Sequence, residues 1–91
     1  MNWDDVRFFL ALCREGSVSR AGKLLDVNHT TVARRIAAFE ETLGTRLFDR
    51  KLDGNTMTQA AENMYDKALE MESHALAIDR TMAGQDAELR G

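Results

Sequence analysis

A row of small and hydrogen-bonding side chains follows Asn28 in a segment with helical periodicity. At about 100° per residue, one face of this segment lies opposite its apolar stripe. That face consists of Thr30, Arg34, Ala37 and Glu41. An arginine there can donate two hydrogen bonds to guanine, a threonine can contact thymine, and small residues allow the helix to approach base edges. The free N–H groups at a helix start favour phosphate. The pattern predicts a helix that reads the major groove of double-stranded DNA.

The predicted DNA-binding set adds the flanks of this face and two cations from a later hairpin. Its members are Ser19, Asn28, His29, Thr30, Thr31, Ala33, Arg34, Arg35, Arg50 and Lys51. The hairpin cations are expected to reach the DNA backbone or the adjacent minor groove. The acidic pair Glu40 and Glu41 lies at the far end of the helix and should point away from DNA. Two alternatives stay open: Arg34 and Arg35 are also consistent with solvated helix charges, and His29 with a helix start that contacts no phosphate.

The net charge of −3 is unfavourable for DNA binding at first sight, but its uneven distribution along the chain weakens that objection. Residues 1–56 carry nine basic and eight acidic residues, a balance of +1. Residues 57–91 carry three basic and seven acidic residues, a balance of −4. The acidity therefore lies in the C-terminal third, away from the predicted reading helix.

Composition and motifs exclude several other classes. A single cysteine, Cys13, excludes an internal disulfide and favours a reducing, cytoplasmic location. The longest apolar run, residues 8–13, is too short to cross a membrane. The sequence has no glycine-rich phosphate loop, nucleophile elbow or paired catalytic carboxylates, so we expect no enzyme. Because Cys13, His29 and His74 are widely scattered, we expect neither a metal site nor another cofactor.

Periodicity and capping residues predict the helices that position the DNA-binding set. The first is expected over residues 3–15, the second over about 19–26 and the third over 29–43, with Ser19 and Asn28 as N-caps. Glycines at positions 16 and 44 should end the first and third helices. The expected apolar faces are Val6, Phe9, Leu10 and Cys13 on the first helix, Ala21, Leu24 and Leu25 on the second, and Val32, Ile36, Phe39 and Leu43 on the third.

The pattern then changes to a hairpin and a long helix. Leu47-Phe48 and residues 56–58 are the expected strands, with Asp53-Gly54 as the turn between them. Thr58 is the expected cap of a helix that runs to about Met82. The predicted fold class is mainly α: a winged helix-turn-helix of three helices and a two-stranded wing over residues 1–58, a long dimerisation helix over 59–83 and a flexible tail over 84–91.

Apolar residues recur along the predicted fourth helix in alternating steps of four and three. They are Met57, Ala61, Met64, Ala68, Met71, Ala75, Ile78 and Met82. This heptad pattern predicts that two copies of the chain pair along the helix, and all of these residues except Met57 are assigned to the dimer contact. Tyr65, Leu69 and Leu76 form a second strip, which is expected to pack on the winged domain of one chain or its partner.

The run GSVSRAGKLLDVNHTTVARRIAAFEETLGTRLFDR resembles the N-terminal signature of LysR-type transcriptional regulators. The matching positions are Gly16-Ser17, Ala21, Leu25, Val27, Val32, Arg34, Ile36, Glu40-Glu41, Leu43-Gly44, Leu47-Phe48 and Arg50. The resemblance extends over about residues 2–82. It implies a winged helix-turn-helix, a linker helix that pairs antiparallel, and a homodimer or tetramer bound to an interrupted inverted repeat in double-stranded DNA. The charges of Lys67 with Glu72 and of His74 with Asp79 would instead suit a parallel pair, so the sequence alone leaves the orientation open.

The chain departs from that family at positions that bear on the operator sequence rather than on the fold. Asn28, His29 and Thr30 stand where the family has serine or alanine, glutamine and often proline. Gly22 stands where alanine is common, and should let the second helix pack closely. Family members continue into a ligand-sensing domain, so we expect an excised domain or a naturally short relative that binds no small molecule. The alternative function is a protein-interaction module, an acidic coiled-coil dimer with the helix-turn-helix as scaffold only.

Overall fold

Four helices and one hairpin make up the computed structural model, which describes the backbone of residues 1–90 and the side chains of residues 1–84. Their order is α1 (Trp3–Glu15), α2 (Val18–Leu25), α3 (His29–Leu43), β1 (Phe48–Lys51), β2 (Gly54–Met57) and α4 (Gln59–Arg90). The predicted fold class, a mainly helical winged helix-turn-helix followed by a long helix, is confirmed. None of the helices, within the residues described, combines the length and the apolar character needed to cross a membrane.

Polar side chains determine where the helices of the winged domain begin. Asn28 begins α3, as predicted, and its Oδ1 accepts the N–H of Thr30 at 3.0 Å. The start of α2 lies earlier than predicted, because Gly16 closes α1 with a left-handed backbone (φ 78°) and leaves Ser17 extended. The Ser17 hydroxyl then accepts a backbone N–H of the first turn at 3.2 Å. The prediction that Ser19 caps α2 is therefore wrong, and Ser19 lies exposed within the first turn.

The turn between α2 and α3 requires a residue without a side chain at position 22. A Cβ on Gly22 would lie 2.7 Å from the carbonyl oxygen of Val27 and 3.3 Å from the amide nitrogen of His29. The expected close packing at Gly22 is confirmed, and its partner is the backbone of the turn itself. This contact determines how α3 is held against α2.

The core lies between α1 and α3 and is closed by the start of the wing. Its largest fully buried side chains are Phe9, Phe39, Leu10, Leu12, Leu47, Val6 and Val32. Two predicted core residues are exposed, Leu24 at 57% and Leu43 at 39%. The buried side of α2 is centred between Ala21 and Gly22, so Leu24 lies about 110° from that centre. Leu43 is the last residue of α3, at the edge of the core.

The wing is an antiparallel hairpin in which residues 48–51 pair with residues 54–57. Leu52 and Asp53 connect the strands, so the turn lies one position earlier than predicted. The strands also extend nearer to the tip than expected. The three residues after Phe48 in β1 are exposed and polar, and such a segment lacks the apolar alternation that identifies a strand in a sequence.

Thr58 caps α4, as predicted, and its hydroxyl oxygen accepts the N–H of Ala61 at 3.2 Å. The helix continues to Arg90, so the predicted end near Met82 is wrong. Of the predicted flexible tail over 84–91, the side chains after residue 84 and the whole of residue 91 lie outside the described residues.

Candidate nucleic-acid interface

The outward face of α3 is exposed as the periodicity predicted. Its buried stripe consists of Val32, Ile36 and Phe39, which pack into the core. On the other side, the exposed residues are His29, Thr30, Arg34, Ala37 and Glu41, with Thr31 and Ala33 half-buried at the flanks. The helix therefore presents a small-residue surface with one long cation in its second turn.

Asn28 is committed to capping, and it shapes the chemistry of Thr30. The Asn28 Oδ1 accepts both the N–H of Thr30, at 3.0 Å, and its hydroxyl proton, at 2.9 Å. Because a hydroxyl has one proton, the Thr30 hydroxyl is left as an acceptor only. Thr30 can thus accept a hydrogen bond from the amino group of a base, or place its methyl group against the methyl group of thymine.

The two arginines of α3 have different surroundings. Arg34 is exposed and forms no ion pair with any side chain among residues 1–84. The Arg35 guanidinium lies 4.7 Å from the centroid of the Phe8 ring. It also lies 3.7 Å from a carboxylate oxygen of Asp5 and 4.0 Å from one of Asp4. In the protein without DNA, Arg35 is therefore engaged by α1, whereas its predicted contact with DNA stays a prediction.

Two cations of the wing, Arg46 and Arg50, share a concave surface with α3. Arg50 and Lys51 lie exposed on β1, next to a turn in which the side chain of Leu52 is fully exposed. Between the wing and α3 lies a cavity of about 120 Å³. Its polar or small lining residues are Ala33, Ala37, Glu40, Arg46, Arg50 and Asn55. A positively charged wing therefore stands beside the small residues of the outward helix face.

Glu40 has a role that the sequence analysis missed. Its Oε2 accepts the backbone N–H of Leu47 at 2.6 Å and that of Phe48 at 3.2 Å. The predicted acidic pair is thus divided, since Glu41 is exposed while Glu40 is half-buried and bonded to the start of β1. The available signal was a glutamate seven residues before a buried leucine with a helix-ending glycine between them, which is too common a pattern to identify the contact.

A bidentate ion pair joins α1 to α4 and was also missed. Both terminal nitrogens of Arg14 donate to Glu72, at 2.7 Å and 2.5 Å. The hydrogen bond from Arg14 lowers the pKa of Glu72, and the same bond raises the pKa of Arg14. The two residues are far apart in sequence, so the pair fixes the long helix against the winged domain.

The predicted dimer residues divide into two groups. Ala61 and Ala68 are buried within the single chain, at 0% and 2% exposure, so their assignment to a dimer contact is wrong. A side chain without exposed surface has none to bury against a partner. Met64, Met71 and Ala75 are half-buried, whereas Ile78 and Met82 are exposed at 62% and 53%. In the second strip, Tyr65 and Leu69 pack against the core of their own domain, as one of the predicted alternatives had it, and Leu76 is exposed.

Cys13 lies half-buried on α1, packed against the core. Burial raises the pKa of its thiol to about 12, so the reactive thiolate is disfavoured. His74 is exposed on α4. In the part of the chain with described side chains, no cluster of histidine, cysteine and carboxylate residues is arranged to hold a metal.

Comparison with known proteins gives related sequences over nearly the whole chain. The Mau operon transcriptional activator of Paracoccus denitrificans is 41% identical over 91 residues, which cover 99% of this chain and 32% of that protein. The transcriptional regulator TfdS of Cupriavidus pinatubonensis is 32% identical over 90 residues, which cover 98% of this chain and 30% of that protein. The chain thus spans about a third of the length of these relatives. They are named as transcriptional regulators and not as enzymes, and they give no support to the interaction-module alternative.

Solved structures show the same fold. The DNA complex of the CbnR DNA-binding domain has a TM-score of 0.80 and 27% identity, and the match covers 92% of this chain and 98% of that one. The BenM DNA-binding domain bound to benA site 1 DNA has a TM-score of 0.82 at 24% identity, covering 90% of this chain and 95% of that one. The family described as bacterial regulatory helix-turn-helix protein, lysR family, matches residues 3–62. With two thirds of its length matched, the chain belongs to the LysR family of bacterial regulatory helix-turn-helix proteins.

Proposed function

We propose that the chain binds double-stranded DNA in a sequence-specific manner, as the DNA-binding part of a bacterial transcription regulator in the cytoplasm. In this proposal α3 enters the major groove and the wing, residues 46–58, contacts the backbone or the adjacent minor groove. The observation that carries the proposal is the outward face of α3. Arg34, which forms no ion pair with any side chain of residues 1–84, lies there among small residues, beside the cations of the wing. The CbnR and BenM domains, which share the fold, have been solved in complex with DNA.

Each exposed residue has a distinct expected role. Arg34 donates two hydrogen bonds to the O6 and N7 atoms of one guanine. Because the Thr30 hydroxyl already donates its hydrogen bond to Asn28, Thr30 accepts a hydrogen bond from a base amino group or contacts a thymine methyl group. His29, Arg50 and Lys51 contact phosphates, which position the domain without specifying sequence.

A homodimer on an inverted repeat is the proposed binding state, with a tetramer in a longer chain. The support is the second half of α4, where Leu76, Ile78 and Met82 are exposed beyond the winged domain. An α4 of 32 residues is roughly 48 Å long. An antiparallel pair of such helices would hold two winged domains apart on one face of DNA, near successive half-sites.

The proposal is tested by selecting a preferred duplex from a random library and measuring its affinity by fluorescence anisotropy at two salt concentrations. A scrambled duplex of the same composition is the control. We expect the selected duplex to bind at least tenfold more tightly, with affinity for both falling steeply as salt rises. Equal affinity for the two duplexes would reject sequence-specific binding, and binding that does not depend on salt would reject phosphate contacts.

A further inference from the structure

The segment that connects α3 to β1 is held by one side chain of α3, that of Glu40. Glu40 Oε2 accepts the N–H groups of Leu47 and Phe48, at 2.6 Å and 3.2 Å. Leu47 is completely buried and Phe48 is 5% exposed, so water cannot easily replace this acceptor. The backbone carbonyl of Glu40 also accepts the N–H of Thr45 at 3.2 Å. Glu40 therefore accepts hydrogen bonds from three residues, Thr45, Leu47 and Phe48, of the segment that connects α3 to the wing.

The place of Glu40 on α3 connects this segment to the outward face. Ala37 is one helical turn before Glu40 and Ala33 is one turn before that, and all three line the cavity between α3 and the wing. Arg50, from the middle of β1, lines the cavity on its other side. The two backbone bonds to Glu40 thus set the distance between the helix face and the first strand of the wing.

The second strand is anchored by different bonds. The N–H of Asn55 donates to the carbonyl oxygen of Gly16 at 2.8 Å, which holds β2 against the end of α1. The Thr58 hydroxyl donates to the Arg46 carbonyl oxygen at 2.7 Å. The N–H of Thr58 also donates to the Leu47 carbonyl oxygen at 3.0 Å. Loss of the Glu40 carboxylate would therefore loosen the start of β1 from α3, while the bonds of Thr58 keep the base of the wing in place.

We propose that Glu40 is a positioning residue that places the cations of the wing at the correct distance from the reading helix. The proposal rests on the proposed DNA binding, with α3 as reader and the wing as the second contact. Glu40 acts through the backbone of Leu47 and Phe48 and does not itself contact DNA. Its removal should affect the contacts of Arg50 and Lys51 and leave the base preference of Arg34 unchanged.

Three variants separate positioning from charge. Glu40→Ala removes the acceptor, Glu40→Gln keeps one oxygen that can accept both N–H groups, and Glu41→Ala removes the same charge from an exposed neighbour. With the selected duplex, log affinity falls as log salt rises, and Glu40→Ala should make this fall less steep. The magnitude of the slope should decrease by about 0.9 for each lost phosphate contact, or about 2 for Arg50 and Lys51 together. Glu40→Gln and Glu41→Ala should keep the slope of the unmodified protein.

A double-mutant cycle distinguishes positioning from a general loss of folding. Arg50→Ala should weaken binding severalfold in the unmodified protein and have little further effect in Glu40→Ala, while the guanine preference is retained in both. Additive losses, or an unchanged salt slope in Glu40→Ala, would overturn the proposal. If Glu40→Ala does not fold, Glu40→Asp takes its place: its carboxylate keeps the charge but is one methylene too short. A wing contact kept in Glu40→Asp and lost in Glu40→Gln would equally overturn the proposal.

Amide hydrogen exchange without DNA separates this proposal from the proposed function. The Leu47 and Phe48 amides should exchange faster in Glu40→Ala than in the unmodified protein and at an unchanged rate in Glu40→Gln. If the unmodified protein binds no DNA, the proposed function fails whatever the exchange result. If it binds DNA but exchange at these two amides is the same in all variants, the proposed function stands and the positioning role of Glu40 is rejected.

Discussion

Two neighbouring arginines of α3 offer a matched test of the interface. Arg34→Ala and Arg35→Ala remove the same charge from adjacent positions, but the surroundings of the two side chains differ. Arg34 is exposed and unpaired within the described side chains. Arg35 lies over the Phe8 ring at 4.7 Å and within 4.0 Å of the carboxylates of Asp4 and Asp5. DNA reading and fold stability should therefore be lost in different variants.

The expected magnitudes follow from these contacts. Arg34→Ala should weaken binding to the preferred duplex by about 1–3 kcal/mol, the typical value of a bidentate contact with guanine, and change the unfolding free energy by less than about 0.5 kcal/mol. In Arg35→Ala, the lost cation–π contact should cost about 0.5–1 kcal/mol. Arg35 is 34% exposed, so its screened ion pairs should add no more than about 1 kcal/mol. The sum is a loss of about 0.5–2 kcal/mol in the unfolding free energy, with the base preference unchanged.

Competition binding against all four bases at each position, together with urea denaturation, measures both effects in the same pair of proteins. An unchanged base preference in Arg34→Ala would refute its reading role. A relaxed preference in Arg35→Ala, with unchanged stability, would mean that Arg35 leaves Phe8 to contact DNA, and would refute the contrast drawn from the structure.

Four other perturbations test separate contacts. Gly22→Ala should lower the unfolding free energy in urea despite the gain of about 1 kcal/mol in helix propensity, because its Cβ would meet the turn backbone; a more stable variant would contradict that close approach. The ion pair with Arg14 lowers the pKa of Glu72 from its ordinary value of 4.5, so its stabilisation is complete above that pH and is lost as pH falls through the lowered pKa. Acid denaturation followed by circular dichroism should thus be less steep in Glu72→Gln, and an identical curve would exclude the contribution. Cys13, with its pKa raised to about 12, should react with iodoacetamide far more slowly in the folded protein than in urea, and equal rates would contradict its packing. Ile78→Glu should sediment as a monomer in analytical ultracentrifugation at concentrations where the unmodified protein is a dimer, and a variant that stays dimeric would reject the exposed part of α4 as the interface.

Local signals predicted the helices of the winged domain well. The bounds of α1 and α3 match their predictions, because periodicity, the Asn28 cap and the helix-ending glycines act within a few residues. The cap of α2 was misassigned by two positions, since both Ser17 and Ser19 are suitable caps and only the geometry after Gly16 selects between them. The outward face of α3 was predicted for the same reason, as it depends only on the helical period.

Contacts between distant elements were not predictable from the sequence. Spacing places Arg34 and Arg35 on neighbouring parts of one helix. Only the packing of α1 against α3 brings Arg35 into contact with the Phe8 ring and two carboxylates. Glu40 likewise resembles Glu41 in the sequence until β1 folds back toward it. Helical periodicity shows which charged residues lie on an exposed face, but it does not show which residues they contact. Those partners are determined by tertiary packing.

The seven-residue repeat of α4 is continuous in the sequence, and it was therefore predicted to form a single dimer seam. In the structure the repeat divides into two surfaces. On a straight α-helix, residues seven apart rotate by about 20° per heptad. Ala61, Ala68, Ala75 and Met82 therefore turn by about 60° in total, away from the side that packs on α1. Their exposure follows the rotation: Ala61 and Ala68 are buried, Ala75 is half-buried and Met82 is 53% exposed. The first half of the repeat packs on its own winged domain, and the part that remains for a second chain lies beyond about residue 75. In the proposed dimer, a partner that contacts α4 there would leave the α1–α4 packing of each chain intact, so α3 would keep a fixed orientation relative to the paired helices.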